Sequence, residues 1–192
     1  MSVLSLAFLI VAMGASFWFK SERRSLVFAG AQKIFKYIFW TAVILVFIFL
    51  FYQARQQFLL WQSNAPTSYL IPPYQNISYF LNYAFYTFFA KPVIALLLAI
   101  IFLILTMILN KKFQERFFEK EELYFGALGI FLIGYPGLIF YLIIVLLTGL
   151  VGALITKRRF SAYFLWFPIA IFAILIISIW VKNLSIWGTL SF

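Results

Sequence analysis

Residues 123–156 carry no charged side chain and run straight into Lys157-Arg158-Arg159. As one helix the stretch would measure roughly 50 Å, well beyond the ~30 Å hydrocarbon thickness of a bilayer. Gly134-Tyr135-Pro136-Gly137 in its middle is a turn signal. Two readings follow: one kinked helix, or two spans joined by a tight outer turn. Charge decides between them. A single span would strand three adjacent cations on the outer side, whereas two spans return them to the inner side with the other basic groups. The reading adopted is two spans, 123–133 and 138–156. The first is short, so its neighbours are expected to shield it from lipid.

Other apolar runs of membrane length lie at 2–19, 37–52, 93–109 and 163–181. Hydrophobic residues make up 66% of the chain and charged ones 10%, and no water-soluble domain is this apolar. The expected fold is therefore all-α: one polytopic helical membrane domain, 1–192, with about six transmembrane helices and no soluble domain. Run 2–19 has no basic residue before it, while Lys20, Arg23 and Arg24 follow it. This is the pattern of an uncleaved first span with its N-terminus outside, and the C-terminus is expected outside too. Pro168 should kink the last span. With these spans, 12 of the 15 basic residues fall inside, leaving Arg55, Lys91 and Lys182 outside. The expected location is a bacterial-type inner (plasma) membrane, with the lipid bilayer as first partner.

The longest stretch between spans is 53–91, and it has no charge between Arg55 and Lys91. Pro66, Pro72 and Pro73 break its first half. Beyond Asn76, residues Ile77, Phe80, Leu81, Ala84, Phe85, Phe88 and Phe89 recur at helical spacing. Tyr79, Asn82, Tyr83 and Tyr86 fall largely on the other side. The pattern predicts an amphipathic helix in the outer interface, with a new helix starting at Pro92. Tyr74, Tyr79, Asn82, Tyr83 and Tyr86 form a candidate face for a peptide or glycan, against the plainer reading of an aromatic belt.

Chemistry is narrowly bounded. The chain has no Cys, His or Asp, which removes thiolate nucleophiles, disulfides, zinc sites and a His base. No cofactor or metal is expected. The net charge of +10 is spread in short groups between apolar runs, so nucleic acid is not an expected partner. Glu121-Glu122, at the mouth of span 123–133, are the candidate catalytic carboxylates, able in principle to serve as base or proton relay. The simpler reading places them in the first turn of a helix, where acids offset the macrodipole. Ser25 with Lys33, or Ser161 with Lys157, would be the formal Ser–Lys pairs, without nucleophile-elbow spacing. Gly126, Gly129, Gly134, Gly137, Gly149 and Gly152 suit close helix packing.

Ala127-Leu128-Gly129, Gly134-Tyr135-Pro136, residues 148–153, Lys157-Arg158-Arg159 and Pro168 follow one another in an order that resembles the C-terminal part of type IV prepilin peptidases. Those are membrane aspartyl proteases. Their G-x-G-D motif reads Glu119-Lys120-Glu121-Glu122 in this chain, with Glu122 in place of Asp and no partner Asp anywhere. A dyad sharing one proton needs two carboxylates. The resemblance implies a degenerate relative with a changed function near a pilus or secretion system. The expected function is a non-enzymatic integral membrane scaffold or partner-binding component with a membrane or envelope protein as partner. The alternatives are a divergent prepilin-peptidase-like protease using Glu122, and a small transporter or channel subunit.

Overall fold

The computed structural model describes residues 2–21, 28–113, 122–135, 137–156 and 165–179. Every regular element among them is helical, and no strand occurs among the described residues. The helices are α1 (Ser2–Ser21), α2 (Phe28–Ser63), α3 (Ala65–Ser68), α4 (Ile77–Ala84), α5 (Ala90–Lys112), α6 (Glu122–Ile133), α7 (Gly137–Thr156) and α8 (Trp166–Ile179). A π-helical segment, Phe85–Phe89, joins α4 to α5 without a break.

The core is organised around α6. Its residues from Glu122 to Leu132 are all buried. A helix apolar on every side must be covered on every side, and α1, α2, α5, α7 and α8 all pack against it. Phe35 of α2 meets Phe125 edge-on at 4.4 Å, and Phe167 of α8 lies 4.7 Å from the same ring. Small residues set how closely the neighbours approach. A Cβ on Gly126 would lie 2.5 Å from a Phe102 ring carbon, and one on Gly129 would overlap the Tyr141 phenol. Neighbouring helices therefore cover residues 123–132.

Contacts fix the helix directions. Phe89 packs against Phe47 and Phe51 of α2, whereas Phe125 packs against Phe35. Phe102, thirteen residues after Phe89, touches the Gly126 position next to Phe125. So α5 descends along α2 by ~20 Å, at 1.5 Å per residue, to reach α6. Hence α5 runs antiparallel to α2. Phe131 lies against Phe39, so α6 ascends with α2 and antiparallel to α5. At the top of α6, Gly134 adopts φ +73° and its N–H donates to Ile130 O at 3.1 Å. This left-handed residue ends the helix at little cost only because it is glycine. The Leu138 N–H then donates to Gly134 O at 2.9 Å, which starts α7 at that end. Tyr141 of α7 meets Gly129, so α7 turns back along α6. The turn expected at 134–137 thus separates two antiparallel helices.

Among the described residues two helices are long and apolar enough to cross a membrane, Lys33–Ser63 and Ile77–Lys112. The remaining apolar helices are shorter within the described residues. The outward surface of the bundle is apolar along much of its length. Ile44, Ile48 and Phe51 of α2, Leu97, Ile101, Ile104 and Ile108 of α5, and Ile143, Leu147, Leu150 and Leu154 of α7 are all exposed. Exposed apolar patches of that extent on a soluble monomer would be anomalous.

The region 53–91 departs from the expected pattern. The run 37–52 is only the middle of a 36-residue helix, because α2 continues unbroken from Phe28 to Ser63. No helix restarts at Pro92, where the chain is already helical. A proline inside a helix clashes with the carbonyl four residues back and removes one donor. The π turn just upstream widens the helix where that strain falls. The Ile77–Phe89 stretch is thus the upper end of the descending α5 rod, and not a separate interfacial helix.

Candidate functional site

The upper end of α2, the short α3, the turns at 69–76 and α4 form a hairpin with its own apolar cluster. Ala54, Trp61, Ile71, Phe80 and Ala84 are buried there, with Phe58, Leu70, Phe88 and Phe89 packed against them. The local chemistry explains the path. Pro66 lies in the first turn of α3, where a missing N–H is harmless. The Thr67 hydroxyl donates to Trp61 O at 3.1 Å and ties α3 to the end of α2. The Tyr74 and Gln75 N–H groups both donate to Ile71 O, closing the turn that holds the cis Pro72–Pro73 bond. Asn76 then caps α4: its Oδ1 accepts from Ser78 N at 3.0 Å.

All five residues of the expected partner face are exposed: Tyr74, Tyr79, Asn82, Tyr83 and Tyr86. Tyr79, Asn82, Tyr83 and Tyr86 share one stripe of α4 and the π segment. Tyr74 lies on the turn before α4, its ring 4.9 Å from that of Tyr69. Phe80, on the adjoining face, is only 6% exposed and meets Phe58 and Trp61 edge-on. Of the positions expected to share its apolar face, Ile77, Leu81 and Phe85 are exposed, so that face splits into a buried and an outward stripe.

Sequence reasoning missed Trp61 and Tyr69. Trp61 supports the tyrosine stripe, with Tyr83 at 4.7 Å and Tyr79 at 6.4 Å. Its signal was available: a single Trp in a polar helix end, seven residues after buried Ala54, marks an inward face. The hairpin offers phenols, amides and aromatic faces, with no charge between Arg55 and Lys91.

The other candidate lies at the opposite end of the bundle. Glu122 opens α6 and is 2% exposed. The register that sets Phe102 against Gly126 brings Thr106, one turn on, level with Glu122, one turn back. Thr106 and Asn110 are the buried polar residues of α5 at this end, and the Thr106 hydroxyl donates to Phe102 O at 2.7 Å. The carboxylate has the position that the macrodipole favours. Among the described residues Glu122 is the one acidic side chain, and no cluster of three metal-ligating residues occurs among them. Glu121 lies outside the described residues, as do Ser25, Lys157 and Ser161 of the formal Ser–Lys pairs.

Gly126 and Gly129 have the close-packing role expected of the glycine series, whereas a Cβ at Gly149 would meet nothing within 4 Å. A comparison of the chain with protein-family models, with curated proteins and with solved structures finds no match.

Proposed function

We propose that this chain is a polytopic integral membrane protein of about six spans that works without catalysis, as a scaffold that binds an envelope protein partner through its outer hairpin. The observation carrying the proposal is the hairpin itself. It is held by its own apolar cluster, tied by side-chain and backbone hydrogen bonds, and it presents an uncharged tyrosine stripe at the end of the bundle farthest from Glu122. Tyrosine gives large contact area at low cost in side-chain entropy, which is why it is enriched at binding surfaces.

The six-span reading draws on three features. Both α1 and α7, at 20 residues, are ~30 Å long and match the hydrocarbon thickness. Wrapped by its neighbours, α6 is spared that length requirement although its 12 residues reach only ~18 Å. The apolar outward faces need lipid against them. A place near type IV pilus or secretion assembly comes from the prepilin-peptidase resemblance alone.

The test is co-purification from native membranes after mild detergent extraction. A defined partner should be recovered, and should be lost with Tyr79→Ser/Tyr86→Ser while the protein still extracts as a folded species. A protein that is monodisperse and partnerless in native membranes would contradict the scaffold reading.

A second reading rests on the burial of Glu122: a divergent protease using that carboxylate. It predicts leader cleavage of a prepilin substrate that Glu122→Gln abolishes. Cleavage unaffected by Glu122→Gln excludes that mechanism, and absence of cleavage leaves the scaffold.

A further inference from the structure

The outward stripe of α2 has an order not used by the partner-binding hairpin. Starting at its lower end it reads Lys33, Lys36 and Tyr37, Trp40, Ile44, Ile48 and Phe51. The spacings of three, four and seven keep these side chains on one side of the helix. All of them are exposed, while Phe35, Phe39, Ala42, Val43 and Val46 on the opposite side are buried in the core. Phe39 holds the Trp40 indole edge-on at 5.4 Å, anchoring that ring to the buried side.

We propose that this stripe is a binding site for one anionic phospholipid, a reading that rests on the membrane assignment above. The order along the helix is the order along such a lipid. Two ammonium groups meet the phosphate, a phenol and an indole sit at the glycerol and ester level, and branched aliphatic side chains line the acyl chain. Each residue type matches its depth physically. Lysine stems lie on apolar surface while the ammonium reaches the headgroups. Tyr and Trp are amphipathic and favour the interfacial layer. Ile44 and Ile48 offer dispersion contact alone.

Charge complementarity selects the ligand. Nothing acidic on α2 offsets the two lysines, and the described acid at this end, Glu122, is buried. A zwitterionic headgroup gains little from two adjacent cations, whereas an anionic one gains about fivefold in affinity per lysine, the fold-change equivalent of ~1 kcal/mol. The lower end of α5 serves as an internal comparison. Lys111 and Lys112 are exposed there too, but α5 itself carries no Tyr or Trp, and the Lys112 ammonium lies 5.9 Å from the Phe113 ring. Those two lysines also suit the C-terminus of a helix, where cations offset the dipole.

The experiment is native mass spectrometry of the full chain in detergent with equal amounts of phosphatidylglycerol and phosphatidylcholine. One phosphatidylglycerol per chain should be retained preferentially. Lys33→Gln/Lys36→Gln should lower its affinity at least tenfold, Lys33→Arg/Lys36→Arg should keep it, and Lys111→Gln/Lys112→Gln should change it less than threefold. Millimolar inorganic phosphate should not displace it. Equal retention of the two lipids overturns the proposal, as does an unchanged preference in Lys33→Gln/Lys36→Gln. Displacement by inorganic phosphate shows a free-phosphate site and overturns it as well. A chain that stays soluble and monomeric without detergent overturns the membrane assignment and this site with it. A chain that needs detergent but shows no preference overturns this site alone.

Discussion

The Tyr141 phenol of α7 donates to the backbone carbonyl of Trp166 in α8 across 3.3 Å, inside the bundle where neither residue meets solvent. The same phenol occupies the space left by the absent side chain of Gly129. One side chain thus locks α7 to both α6 and α8. Gly129→Leu should destabilise the bundle by about 1–3 kcal/mol or more, because overpacking there has no open space to relax into. Tyr141→Phe keeps the packing and loses only the hydrogen bond, at about 0.5–1.5 kcal/mol. Thermal unfolding in detergent should rank the two in that order.

In the hairpin of α2, α3 and α4, stability and the proposed partner binding should separate. Phe80→Ala empties the centre of the small cluster and should cost about 3–5 kcal/mol, read as faster hydrogen exchange in α4. Tyr86, at 73% exposed, and Tyr74, at 66%, lie outside that cluster. Tyr74→Ser/Tyr86→Ser should therefore leave the thermal midpoint almost unchanged, within ~0.5 kcal/mol per site, while weakening partner recovery.

The break at Gly134 was legible in the sequence because length, turn chemistry and charge all required it. The burial of α6 was legible as well, since an uncharged helix expected to be too short for a bilayer would have to be covered by protein. Two features were not. The polar run after Tyr52 read as the start of a loop, yet Gln53, Ala54, Gln56 and Gln57 are compatible with a helix, and α2 continues because Ala54 and Trp61 find a partner in α4. That partner is distant in sequence, so local pattern could not supply it. Pro92 read as a helix start because proline is unfavourable inside an α-helix, and the π turn that accommodates it has no sequence signature. For the candidate residues, exposure of the tyrosines followed from periodicity. The pairing of Tyr74 with Tyr69 depended on turns whose course sequence does not specify.

The α4 cap provides a smaller, local test. Asn76→Ala removes the acceptor for Ser78 N and should cost about 1 kcal/mol. Asn76→Asp keeps an acceptor and should cost less. Protection of the first-turn amides of α4, followed by hydrogen exchange, distinguishes the two.

At the opposite end, Glu122→Gln preserves shape and should still yield folded, monodisperse protein with the partner bound. Glu122→Lys places a cation at a buried helix N-terminus, where both the macrodipole and desolvation oppose it. The yield of folded protein should fall sharply. Size-exclusion profiles of the two variants in detergent provide the comparison.

Tyr86 and Lys112 stand near opposite ends of one continuous helical rod, Ile77–Lys112. In the proposed topology the first lies outside and the second inside. The chain has no native cysteine, so single Tyr86→Cys and Lys112→Cys variants can be probed in intact cells with a membrane-impermeant maleimide. Tyr86→Cys should label at once, and Lys112→Cys only after permeabilisation. Labelling of Lys112→Cys from outside, or of both positions equally, would contradict a membrane-crossing rod with its recognition hairpin on the outer face.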